Sequence, residues 1–428
     1  MLPQLQRIAA QAAANSECIF TNLAHLIDKG LLRRAYELTR KDGAVGVDGQ
    51  EGKRPYGENL EANLDDLHRR LRECRYQAPC IKRVWLPKDG RGQRPIGITT
   101  FEDKVVQRAV VMLLEAAYEQ DFYDVSYGFR LGLSAHVALG EIRNQIMDHW
   151  IGWIVEADIR GCFDNLGHGV LRELLHRRVH DGGIDRLIGK WLNAGIQDGG
   201  ELLHPEKGAP QGGVISPMLA NIYLHHVLDE WFVEVVQPRL KGRAFLVRYC
   251  DDFIIGCELE EDARRVLEVL PRRLEKYGLA IHPEKTRLVP FQAPKAGAPR
   301  GEHNDTFDFL GFTHYWGKSR RGYWVVKRRT MRKRLRRAMK AIAQWCRCNR
   351  HMPLQEQHRT VCQKPRGHFQ YYGLRGNYRS MELLYEHTRR VWHKWLSRRS
   401  RESYIPWDKF QKLLDVLPLP TPKIIHAV

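Results

Sequence analysis

The 428 residues contain no apolar run approaching the roughly 20 that a membrane-spanning helix needs. The start, Met1-Leu-Pro-Gln-Leu-Gln-Arg, lacks the continuous apolar core of a signal peptide. Cysteine is sparse: nine, an odd count, scattered along the chain. Without an export signal, the expectation is reduced thiols in a cytoplasmic protein rather than a disulfide framework. Cys346-Arg-Cys348 is the closest pair, but no second pair or histidine follows at zinc spacing. Internal repeats and low-complexity segments do not stand out. Acid is also short, with Asp+Glu 50 against Lys+Arg 69, giving a net charge of +19. That excess points to a polyanionic partner, nucleic acid before an acidic membrane surface.

What is present is core-forming. Hydrophobic residues make up 43% of the chain, enough for real cores, and the length calls for two or three subdomains. The most informative stretch is Arg248-Tyr-Cys-Asp-Asp-Phe253, between the β-type runs 245–247 and 253–255. Strand, tight turn, strand predicts a hairpin with Asp251 and Asp252 at its tip. An ordinary acidic turn would read the same way. A second apolar strand, Trp153-Ile-Val-Glu-Ala-Asp158, also ends in a carboxylate. Carboxylates gathered at strand ends suit a hard divalent cation, and two such ions can clamp both oxygens of a phosphoryl transfer.

Along the chain, residues 1–20 read as a helical lead-in and 20–40 as a helix ending at the Gly43–Gly49 loop. A helix follows over 60–74, then a β-hairpin over 83–98 with Asp89-Gly90 as the turn and Lys88, Arg91 and Arg94 at the tip. Helices are expected over 101–119, from about 134, and over 260–277, the last kinked at Pro271 and capped by Gly278. The loop Gly208-Ala-Pro-Gln-Gly-Gly-Val-Ile-Ser-Pro217 feeds another helix, with Ser216 as N-cap and Pro217 at its first position. Composition shifts at 315–325. Beyond it, 327–350 reads as a basic helix with one apolar stripe through Met331, Leu335, Ala338, Ile342 and Trp345. Further helical stretches are expected over 365–372 and 383–396.

The strand ending in Asp158, the Pro210-Gln-Gly loop and the Tyr249-x-Asp-Asp hairpin together resemble the palm of a reverse transcriptase. The wider text resembles the bacterial group II intron-encoded reverse transcriptase/maturases over nearly the whole chain. It carries Arg94-Pro-Ile-Gly-Ile, Tyr127-Gly-Phe-Arg, Asp158-Ile-Arg-Gly-Cys-Phe-Asp-Asn, Leu279-Ala-Ile-His-Pro-Glu-Lys-Thr, Phe309-Leu-Gly-Phe and Arg366-Gly-His-Phe-Gln-Tyr-Tyr-Gly. The ordered set is far more specific than any one motif.

The resemblance implies an α+β right-hand polymerase. Fingers would occupy 1–150, a palm with an antiparallel sheet 151–315, and a basic helical thumb or maturase domain 316–428. It implies RNA-templated DNA synthesis joined to binding of a group II intron RNA, with an RNA template, a DNA primer or target and deoxynucleotides as partners. Asp158, Asp251 and the Ile159 carbonyl would hold two Mg2+ ions; Asp252 belongs to the motif and could simply brace the turn. Lys285 would protonate the leaving pyrophosphate. Lys88 and Arg94 would contact the triphosphate, Gln211 the nascent pair, and Phe163 the sugar 2′ position. Phe309, Leu310 and Gly311 resemble the primer grip. Lys327, Arg328, Arg332 and Arg336 would meet RNA phosphates.

Two departures are visible. Cys250 stands where the family usually has alanine, and is small enough for activity to survive. No Cys-rich endonuclease segment appears before Val428, so mobility would use a nick or fork made by something else. Two other readings stay open: a host-adopted enzyme in phage defence or repair, and an RNA-binding splicing factor with a silent polymerase.

Overall fold

The computed structural model describes residues 2–50, 55–87, 92–204, 206–294, 305–400 and 402–427. Three sheets organise it, with strands β1 (Ile81–Pro87), β2 (Gln93–Ile98), β3 (Trp153–Asp158), β4 (Ile196–Asp198), β5 (Glu201–Leu203), β6 (Ala244–Tyr249), β7 (Asp252–Cys257), β8 (Arg287–Pro290), β9 (Phe307–Phe309), β10 (Phe312–Lys318) and β11 (Trp324–Thr330). The central sheet has the order β6-β7-β3-β8, antiparallel throughout. Its strands read as largely apolar runs because both faces are covered. Val155, Ala157, Leu246, Phe253 and Ile255 join the large core under helices Phe101–Tyr118, Ser216–Leu224 and Glu260–Glu275. Their alternates Ile154, Phe245, Val247 and Ile254 face the other way, into a core shared with helix Ala135–His149.

The expected hairpin over 83–98 is present as β1 and β2; its turn lies outside the described residues. The sheet extends further than the sequence suggested, in the order β2-β1-β4-β5. Strands β4 and β5 have three residues each, too few to show an alternation. The turn signal between them was legible, since Gly199 and Gly200 both take positive φ, as a tight two-residue hairpin requires.

Several expectations need correction. The 20–40 segment is helical only over Lys29–Leu38, after a short turn at Ala24–Leu26. Asp28 caps that helix by accepting from Leu31 N, which places its start well after Phe20. Ser216 is the first helical residue, not the cap, and its hydroxyl donates to Pro210 O at 2.8 Å, pinning the preceding loop. Helix 365–372 is the end of a longer one, Leu354–Tyr372, with Pro365 inside it; the third helix is Tyr378–Leu396.

The largest change is at the basic stretch. Residues 324–330 form β11, paired with β10 in the sheet β11-β10-β9. Val326, Arg328 and Thr330 are buried in strand alternation, so the run of cations hid a period of two. The helix is Arg332–Cys348, and the stripe from Leu335 to Trp345 packs as expected against the helices that follow. The composition boundary at 315–325 falls inside the β10–β11 hairpin.

On β10, His314 is fully buried and stacks on Phe307 with ring centroids 4.4 Å apart. Burial, and after it the Arg328 cation, pushes its imidazole down to about 3. Such a neutral group stabilises the fold above the ordinary histidine range, and that contribution is lost as pH falls towards about 3. By about pH 5 the loss should reach about 2 kcal/mol. Melting curves of the parent should therefore fall more steeply from about pH 7 to about pH 5 than those of His314→Phe. Equal slopes would remove His314 from the acid response.

Candidate active site

The β6–β7 hairpin turns on only two residues, Cys250 and Asp251, with Tyr249 paired to Asp252. Cys250 takes φ 61, the positive value that the first position of such a turn needs. A non-glycine residue there has to be held. Arg248 supplies part of the hold. Its fully buried guanidinium donates to Cys250 O at 3.1 Å, to Asn221 Oδ1 at 3.0 Å and to Ser126 Oγ at 2.7 Å. It also forms a two-pronged ion pair with buried Asp229, at 2.7 and 2.5 Å. Gly128 closes in from the neighbouring loop: a Cβ there would lie 2.6 Å from Cys250 N.

Beside the turn, β3 delivers Asp158 directly opposite Asp252 in register. The Asp158 carboxylate pairs with the Lys285 ammonium. Its backbone carbonyl accepts from His282 N at 2.8 Å, so the 282–285 turn that carries Lys285 is fixed to the same strand end. Ile159 faces Ile281 across a bridge whose bonds run from Arg160 N to Ala280 O and from His282 N to Asp158 O. The Ile159 carbonyl takes no part in either bond.

Three carboxylates thus share one half-enclosed place, and their electrostatics show the crowding. Burial, then the charges of Asp251 and Asp158, pushes Asp252 up to about 7. Burial and Asp158 also raise Asp251, against the opposing pull of the Arg94 cation. The Cys250 thiol is pushed up to about 12 by burial and Asp251. The carboxylates offer hard oxygens, with Asp158 paired to Lys285, and hard oxygens suit Mg2+. Among the described residues no group of three or more His, Cys, Asp or Glu side chains is arranged to hold a metal ion by itself. Substrate phosphates and water would have to complete the shell.

On the fingers side, Phe163 sits half-buried in the short helix Cys162–Asn165, against the main core. Its carbonyl accepts from Ala209 N at 2.7 Å, tying it to the Pro210-Gln211-Gly212 loop. The Gln211 amide donates to both Asp164 oxygens, at 3.2 and 3.1 Å, and Gln211 O accepts from Gly97 N of β2 at 2.6 Å. Phe163 and Gln211 are thereby tied together beside β2, the strand that also carries exposed Arg94. Lys88 lies outside the described residues.

On the thumb side a cavity of about 540 Å³ is lined by Asp158, Asp252, Lys285, Leu310, Arg334 and Tyr371, among others. Leu310 and Gly311 form the two-residue β9–β10 turn, both at positive φ, and Tyr371 donates its hydroxyl to Leu310 O at 2.8 Å. Phe309 is buried and offers the cavity only wall. Arg332 and Arg336 are exposed one helical turn apart, and Lys327 is half-exposed on β11. Arg328 corrects its expectation as an RNA contact. It is buried, donates to Leu139 O at 3.0 Å, and is pushed down to about 10 by burial.

Sequence reasoning missed the Ser126–Asn221–Asp229–Arg248 brace and the cavity residue Arg334. The first had a signal: a charged residue inside the apolar run Phe245-Leu-Val-Arg-Tyr, and another after Val227-Leu228. Charges buried among apolar neighbours are paired.

The chain is similar to known proteins over much of its length. The family profile described as Reverse transcriptase (RNA-dependent DNA polymerase) matches residues 86–314. The Group II intron-encoded protein LtrA of Lactococcus lactis subsp. cremoris is 34% identical over 233 residues, 54% of this chain and 38% of that protein. Protein YkfC of Escherichia coli (strain K12) is 30% identical over 364 residues, 75% of this chain and 90% of that protein. A solved structure of telomerase from Candida albicans overlays loosely, with TM-score 0.44 and 14% identity over 85% of this chain and 63% of that one. Among the described residues no helix is long and apolar enough to cross a membrane.

Proposed function

Because this chain belongs to the reverse transcriptase (RNA-dependent DNA polymerase) family, in its group II intron-encoded branch, we propose that it extends a DNA primer on an RNA template and binds a group II intron RNA, assisting its splicing and copying it. The observation that carries the reading is the meeting of Asp158, Asp251 and Asp252 at one strand end. The matched segment spans 38% of LtrA, so the intron partner is inferred from the branch and not from that protein's full length.

Asp158 and Asp251, with the Ile159 carbonyl, would hold two Mg2+ ions. When bound, the ions would supply activation of the primer 3′-hydroxyl and neutralisation of charge on the pyrophosphate leaving group. The chain's own groups do the rest. Arg94 binds triphosphate oxygens, to which a guanidinium can donate two parallel bonds. Gln211, oriented by Asp164, backs the nascent pair. Lys285, which pairs with Asp158, would give a proton to the departing pyrophosphate. Phe163 closes the space at the sugar 2′ position. Arg332, Arg336 and Lys327 add phosphate contacts, whose signature is affinity falling with salt.

Extension of a primer on an RNA template with Mg2+ and deoxynucleotides tests the polymerase. In the same assay Phe163→Val should raise ribonucleotide incorporation about tenfold or more relative to deoxynucleotide. An unchanged ratio would sink the gate assignment. Protein-dependent splicing of an intron RNA tests the second activity.

A further inference from the structure

The loop at residues 126–130 spends buried bonds on keeping one aromatic ring in solvent. Phe129 is 57% exposed and takes φ 58, a left-handed conformation that bulky side chains avoid. The residues around it are clamped. Tyr127 N donates to Arg248 O at 2.8 Å, and the buried Asn221 amide donates to Gly128 O at 2.7 Å. Arg130 donates to Tyr123 O at 2.7 Å, to Ser126 O at 2.8 Å and to the Glu119 carboxylate. Gly128 has no room for a Cβ against Cys250. Strain that the surroundings over-determine in this way is a pointer to function.

The position of the ring says which function. It lies 6.4 Å from the ring of Tyr249, tilted by 39°, and Tyr249 is the residue that opens the Cys250-Asp251 turn. Tyr249 packs in turn against the same core as Leu310, Tyr371 and Tyr372. A chain of neighbours therefore runs from the Leu310-Gly311 turn through Tyr371 and Tyr249 to Phe129. Its Leu310, Gly311 and Tyr371 end lines the thumb-side cavity, separate from the one that Gln211 helps to line; Tyr249 and Phe129 lie beyond that lining.

We propose that Phe129 is a contact for the primer strand, its ring packing on a nucleotide close to the 3′ end. The inference rests on the polymerase reading above. An aromatic face suits the task because every base has a π-face, so the contact tolerates any primer sequence. The buried clamp ties the ring to the catalytic turn, so the primer end and Asp251 would be set by one rigid unit.

The test is the affinity for a labelled primer annealed to an RNA template, without nucleotide, for the parent, Phe129→Asn and Phe129→Trp. Asparagine tolerates the left-handed backbone, so the first variant should fold, and its melting temperature checks that. The dissociation constant should rise about tenfold in Phe129→Asn, with tryptophan restoring most of the loss. An abasic nucleotide moved through the primer's last positions should weaken the parent at one place and leave Phe129→Asn no weaker there. Unchanged affinity in Phe129→Asn, or sensitivity to abasic sites only in the template, would overturn the inference. A folded parent that extends no primer would instead defeat the polymerase reading.

Discussion

Asp251→Asn is expected to abolish nucleotide addition, by about 10³-fold or more, and to raise the melting temperature in metal-free buffer. The two effects have one cause. Asp251 is held where burial and the neighbouring Asp158 both disfavour its charge. Removing that charge while keeping the side chain's shape relieves the free protein. It also removes the ligand that would bind metal, worth several kcal/mol in the transition state. A site that is less stable without its ion and inactive without its charge is a cation site. If Asp251→Asn lost stability and activity together, the carboxylate would be a structural brace and the metal assignment would fail.

The second large effect concerns a pair that touches no substrate. Asp229→Ala leaves the Arg248 cation fully buried without its carboxylate, and should cost about 3–5 kcal/mol of stability. The double substitution Asp229→Leu with Arg248→Met should recover most of that loss, because an apolar pair needs no desolvation to be offset. Its extension rate should stay low even so. The Arg248 bond to Cys250 O is gone, and the turn that aims Asp251 is no longer pinned. Stability restored without activity would identify the pair as positioning residues. Recovery of both would reduce them to packing.

The strand-end carboxylates were legible because the chemistry sits on contiguous text: β3 ends in Asp158, and one hairpin carries Asp251 and Asp252. The short apolar runs of the central sheet, buried on both faces, could be read as strands for the same reason. What the sequence hid was long-range. Arg248 meets Ser126 across 122 positions, and Lys285 meets Asp158 across 127, with no local pattern to announce either. Strand β11 hid behind its charges, since three consecutive cations read as a helix surface until Arg328 is seen to point inward. Phe129 stood in plain text within Tyr127-Gly-Phe-Arg, but its exposure and backbone strain exist only in the fold.

The measurement closest to the central claim is addition of a single deoxynucleotide by the parent protein to a primer annealed to RNA, with and without Mg2+. The account expects one added nucleotide, complementary to the template base, dependent on Mg2+ and absent in Asp251→Asn. A folded parent that adds no nucleotide, or that adds it equally well as Asp251→Asn, would contradict it.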